Sequence, residues 1–226
     1  MRFWILGLLV FLTRCNDGEQ AITVFTISFP FNDSFQGWVG DFADYPETNS
    51  IAYELYVGHD LLPENLNTNG ETRGLHISGK GNNRDLFMFM KRKISGLRPN
   101  ATYELLFSVK LASNMPTGGI GESIHLKAGA SILEPRKELQ AGVYRMNIDK
   151  GELAEGGEDM ITIGNVGVSS TTQFLMITRT NSSKNSFTIT ADESGEIWLV
   201  VGTDSGYDGT TSLYYTQVDV SFNQLN

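Results

Sequence analysis

The chain of 226 residues is poor in the residue types that usually declare a chemistry. It has one cysteine, which excludes an intramolecular disulfide and a cage of cysteine thiolates around zinc. It has three histidines, His59, His76 and His125, and no two are close in sequence. The His-Glu-x-x-His and Gly-x-Ser-x-Gly motifs are absent, so neither a zinc-protease helix nor a nucleophile elbow is present. Positive charge is scarce too, with 17 basic against 26 acidic residues and a net charge of −9. That balance argues against a general nucleic-acid surface. Lys91-Arg92-Lys93 ends an apolar strand and reads as a charged rim. No apolar run reaches the ~20 residues that span a bilayer as a helix. What remains is a chain that is 40% hydrophobic and rich in glycine, with 24, enough apolar content for a large core.

The longest apolar run is Phe3–Leu12, behind Met1-Arg2 and ahead of Thr13-Arg14-Cys15. A positive start, a short apolar stretch and an early break describe a secretory signal peptide over residues 1–14. Leu12-Thr13-Arg14-Cys15 resembles the lipobox of bacterial lipoproteins, with Arg14 where that motif has a small residue. This resemblance implies lipidation at Cys15, a membrane anchor through it, and a place in the cell envelope. The plainer reading is a secreted chain with a free Cys15. Loss of residues 1–14 removes two arginines and no acid, taking the net charge from −9 to −11. Residues 15–20 read as a polar tether.

From Ala21 onward the apolar residues recur with period two. Examples are Phe25/Ile27/Phe29, Tyr103/Leu105/Phe107/Val109/Leu111, Ile124/Leu126/Ala128 and Val218/Val220/Phe222. Such alternation turns one face to a core and the other to water. Leu86–Met90, Phe174–Ile177 and Ile197–Val201 are apolar on both faces and predict covered, central strands. Gly- and Asn-rich joints separate the runs, and only Leu61–Leu66, with Pro63, suits a single helical turn. About ten short strands without a sustained 3.6 period predict one all-β antiparallel sandwich over residues 21–226.

Three segments carry a further resemblance: Phe31-Asn32-Asp33-Ser34-Phe35-Gln36-Gly37-Trp38, Leu97-Arg98-Pro99-Asn100-Ala101-Thr102-Tyr103, and Leu213-Tyr214-Tyr215-Thr216-Gln217-Val218-Asp219-Val220. In this order they resemble the opening, the turn into a central strand and the closing strand of jelly-roll, galactose-binding-like carbohydrate-binding modules. The whole is similar to secreted bacterial lipoproteins of that architecture. The resemblance implies a jelly roll whose end strands pair, often with a structural calcium ion, and a glycan or other polar extracellular ligand.

Aromatics on polar loops suit sugar stacking. Trp38, Phe42 and Tyr45 lie in a Gly- and Asp-rich stretch, and Tyr207 lies in Asp204-Ser205-Gly206-Tyr207-Asp208-Gly209. These four are the candidate ligand-binding residues, with Trp38 alternatively a core anchor under the first turn. Asp204 and Asp208 flank a tight turn and are the candidate calcium ligands; Asp41 and Asp44 are a second acidic pair. His76 and His125, each on an alternating strand, are expected to face outward. No catalytic set stands out. The alternatives to a binding protein are a glycan hydrolase with an unassigned carboxyl pair about 5–10 Å apart, and a structural or adhesive surface protein.

Overall fold

The computed structural model describes residues 23–82, 84–169 and 172–225. The proposed signal peptide, Cys15 and the tether lie outside these residues. Among the described residues no helix is long and apolar enough to cross a membrane.

The chain is an all-β antiparallel sandwich. The first sheet contains β1 (Val24–Pro30), β4 (Tyr56–Leu61), β5 (Arg73–Lys80), β7 (Thr102–Ser113), β12 (Leu175–Thr180), β13 (Phe187–Thr190) and β15 (Thr210–Gln224). Its order is β12-β7-β15-β5-β4, with β1 on β15 and β13 on β7. The second has the order β11-β8-β14-β6-β2, from β2 (Val39–Ala43), β6 (Leu86–Ile94), β8 (Ile124–Ser131), β11 (Met160–Asn165) and β14 (Ile197–Ser205). A small third sheet joins β3 (Tyr45–Pro46), β10 (Val143–Met146) and β9 (Lys137–Gln140). The long strands cross between the two main sheets, β5 to β6 to β7 to β8 and β14 to β15, as in a jelly roll. The end strands pair as expected, with Val24 opposite Asn223 and Pro30 opposite Gln217.

The period-two residues build the core. Leu75, Ile77, Leu105, Phe107, Val109, Val218, Val220 and Phe222 of the first sheet meet Leu86, Met88, Met90, Leu126, Ala128, Leu199 and Val201 of the second, all essentially inaccessible. Burial of each such side chain contributes about 1.5–3 kcal/mol. The turn Arg98–Ala101 is braced from below: Tyr103 Oη accepts the Arg98 N–H at 2.9 Å. Asn100 serves this turn through its backbone, in the left-handed region at φ 58°. Pro63 opens a single turn in which its carbonyl accepts the N–H groups of Leu66 and Asn67.

Two of the three doubly apolar runs are central strands, β6 and β14. The third, Phe174–Ile177, is corrected: it leads into β12 at the edge of the first sheet and is only half-buried. Its apolar residues are used on two sides, Ile177 toward the core and Phe174 against the ring of Tyr214.

The outer face of the second sheet is also not open water. Residues 136–160 fold over it, and a second small core of Ala43, Phe87, Phe89, Ile148, Met160 and Val200 lies beneath them. This cover converts nominally outward positions such as Lys127 into buried ones.

Candidate functional site

The structure sends the first set of aromatic candidates inward. Trp38 is 2% exposed and packs edge-on against Phe29 and Phe31, with ring centroids 5.5 and 6.3 Å away. Phe42 and Tyr45 are buried as well. Tyr45 lies among Tyr53, Tyr144 and the Lys137 ammonium, which donates to its hydroxyl at 3.0 Å. The ligand-binding role expected of Phe42 and Tyr45 is therefore corrected, and Trp38 takes its alternative reading as a core anchor. Their Gly- and Asp-rich neighbourhood looks like a loop, but β2 pairs with β6 and turns Phe42 to the core. Tyr207 is half-buried and leans on the same core.

The acidic candidates separate. Asp204 is 1% exposed, and its Oδ2 accepts from Lys150 Nζ at 2.7 Å and lies 3.2 Å from Lys127 Nζ. Asp208 is exposed and instead accepts the Arg84 N–H at 2.7 Å. Carboxylate oxygens of Asp44, Asp85 and Asp204 do come within 4.8 Å of one another. Cations already stand among them. Arg145 donates to Asp44 and Asp85 at 3.0 Å each, and Lys150 lies 3.0 Å from Asp44. Lys127, fully buried, also donates to the carbonyls of Lys150 and Glu155 at 2.8 Å each. Three carboxylates thus face three cationic side chains. A calcium ion placed on Asp204 would meet two ammonium groups at hydrogen-bond distance, so this donor set suits an ammonium and does not fit calcium. Asp41, the second acidic candidate beside Asp44, is paired with Lys137 at 2.8 Å.

This network lines a cleft of about 200 Å³ with Arg84, Asp85, Lys150, Glu152, Leu153 and Asp204 on its walls. Burial and the neighbouring Asp44 push the Asp85 carboxyl up from its ordinary value. Burial works against the Lys150 charge, but Asp204 and Asp44 outweigh it and raise that lysine. Burial depresses Lys127, which Asp204 only partly offsets. Asp44 and Asp85 share the Arg145 guanidinium at 3.0 Å each. The network reads as a neutral clasp that fastens the 136–160 cover onto the second sheet.

A different constellation lies on the outer face of the first sheet, where β4, β5 and β15 run side by side. Leu75 and Ile77 point to the core, so His76 points out, as expected from its alternation. His125, like His76, is half-buried, and burial lowers its pKa. Tyr214 sits directly opposite His76 in the β5–β15 register. Their rings stack at 4.1 Å and 9°. Tyr56 flanks His76 at 5.1 Å, and Phe174 meets Tyr214 edge-on at 5.5 Å. Four rings, from Tyr56 through His76 and Tyr214 to Phe174, therefore cross this face. Tyr56 is 46% exposed.

Polar groups are interleaved with the rings. His76 Nδ1 lies 2.8 Å from Asp60 Oδ2, and His76 Nε2 lies 2.8 Å from Ser212 Oγ. Tyr56 donates its hydroxyl to the same Asp60 oxygen at 2.9 Å. Burial alone would raise the Asp60 carboxyl, but hydrogen bonds from His76 and Tyr56 outweigh it and hold the group below its ordinary value. An ionised carboxylate only accepts, so Nδ1 carries the imidazole proton. When the ring is neutral, Nε2 is the acceptor and Ser212 donates to it. Burial and Asp60 raise the Tyr214 phenol, which stays protonated at neutral pH and has Ser212 as its hydrogen-bond partner. Sequence reasoning placed His76 outward but did not reach this set. Asp60, His76 and Ser212 belong to three strands, and only the register brings them together.

No family model and no curated protein matches the sequence. Among solved structures, the chain is similar to a carbohydrate-binding module of the β-sandwich superfamily, with 10% identity and a TM-score of 0.41 over 91% of this chain and 75% of that one. It is similar to a xylan-binding module at 12% identity and a TM-score of 0.40, covering 89% and 97% of the two chains. It is also similar to the enzymatically active domain of a bacteriophage CBA120 tailspike at 11% identity and a TM-score of 0.34, covering 80% of this chain but 19% of that one.

Proposed function

We propose that this chain is a glycan-binding β-sandwich whose ligand lies on the outer face of the first sheet. The observation that supports the reading is the row Tyr56–His76–Tyr214–Phe174, interleaved with Asp60 and Ser212. Sugars present apolar C–H faces and a rim of hydroxyls. Aromatic rings cover the first, and a carboxylate, an imidazole and a hydroxyl pair with the second. The flanking basic residues do not turn this face into an anion site: Arg73 donates to the His59 carbonyl and Lys80 lies 3.8 Å from Glu54. In the same reading the domain is exported and held at the cell envelope by a lipid on Cys15. Mass spectrometry of the membrane fraction, with Cys15→Ser as control, tests that part.

Retention on glycan arrays and insoluble polysaccharides tests the binding. The expected result is retention of the wild type and its loss in Tyr56→Ala/Tyr214→Ala. No retention on any glycan would overturn the proposal.

A further inference from the structure

We infer that Ser212, His76 and Asp60 form a nucleophilic relay for ester cleavage, with Ser212 Oγ as the attacking atom. The geometry has the two contacts of such a relay, nucleophile to base and base to orienter. The nucleophile–base distance, Ser212 Oγ to His76 Nε2, is 2.8 Å. The base–orienter distance, His76 Nδ1 to Asp60 Oδ2, is also 2.8 Å. The orienter is itself fixed by the Tyr56 hydroxyl at 2.9 Å, and the imidazole is clamped by its stack on Tyr214. In the neutral imidazole, Asp60 selects the tautomer that leaves Nε2 free to take the serine proton. Ser212 and His76 are both partly exposed to solvent.

The step balances with water as the second substrate. Ser212 Oγ bonds to the carbonyl carbon while its proton passes to His76 Nε2. The bond to the leaving alcohol then breaks, and that proton goes to the alcohol. Water repeats the sequence, releasing the acid and restoring Ser212. The relay stands on its own atoms; its substrate class, an O-acylated glycan, rests on the glycan-binding reading.

The test uses the folded chain with a fluorophosphonate probe, which phosphonylates activated serines, and with 4-nitrophenyl acetate as a small ester. Peptide mass spectrometry is expected to map the label to Ser212. Ser212→Ala should remove the label and the hydrolysis, and His76→Ala should slow both at least about 100-fold. Labelling of Ser212 no greater than in heat-denatured protein, or hydrolysis unchanged in Ser212→Ala, would overturn the inference. A chain that labels Ser212 but retains no polysaccharide keeps the relay and removes the glycan reading. A chain that retains polysaccharide without labelling does the reverse.

Discussion

Replacing Asp204 by alanine tests whether the buried clasp holds the second sheet's cover in place. The Asp204 side chain is 2% exposed and that of Lys127 is 0% exposed. In Asp204→Ala, Lys150 keeps Asp44 at 3.0 Å, but Lys127 keeps only two neutral carbonyls, and the Leu153 N–H loses its acceptor at 3.0 Å. Breaking one side of a buried ion pair costs about 3–5 kcal/mol, because a charge is left without compensation. Lys127 has one escape, which is to lose its proton, and burial already moves it that way. A lysine depressed in the folded state binds fewer protons there than in the unfolded chain, so folding gains as pH rises toward the ordinary lysine value. The deficit of the variant should therefore shrink in alkaline buffer. Urea unfolding followed by tryptophan fluorescence at neutral and alkaline pH measures both effects. The double variant Lys127→Met/Asp204→Leu removes both charges together and should be less destabilised than Asp204→Ala. A loss below about 1 kcal/mol at neutral pH, or a double variant no better than the single, would refute the clasp.

Three further outcomes follow from the same packing. Trp38→Ala should cost about 3–5 kcal/mol in urea unfolding, because it empties a site 2% exposed, while glycan retention at low temperature stays unchanged. Tyr103→Phe removes the acceptor of the Arg98 N–H at 2.9 Å and should lower stability by about 1–3 kcal/mol with no change in secondary structure by circular dichroism. Backbone N–H groups of Glu158 and Gly151 hold the Asp149 carboxyl below its ordinary value. That stabilisation is present above the unfolded value of about 4 and is lost as pH falls through the folded one. Acid unfolding of Asp149→Asn should accordingly be shallower than that of the wild type.

The β-sandwich was legible because its physics is local. Period-two runs such as Tyr103–Leu111 and Ile124–Ala128 state which residues meet the core. The turn before Tyr103 and the pairing of β1 with β15 also carried through to the structure. Alternation, however, says only which sheet face a residue occupies, not what covers that face. Lys127 alternates outward as its neighbours require, yet residues 136–160 lie over it and bury it completely. Phe42 shows the converse, since glycines and aspartates around it suggest a loop while β2 pairs with β6 and turns it to the core. The edge position of β12 was hidden for a similar reason, because apolar residues on two faces need not mean sheet neighbours on two sides. The site itself was beyond reach. His76 and Ser212 are 136 positions apart, and a shift of one residue in the β5–β15 register would send one of them to the core.

Electrophoretic retardation in native gels containing soluble polysaccharide tests the central claim, that the outer face of the first sheet binds glycan. The comparison is wild type against Tyr56→Ala/Tyr214→Ala, with Trp198→Ala, on the outer face of the other sheet, as the control. The account predicts that wild type and control are retarded equally, while the double variant runs as it does without polysaccharide. Equal retardation of the double variant, or none for the wild type in any polysaccharide, would contradict it.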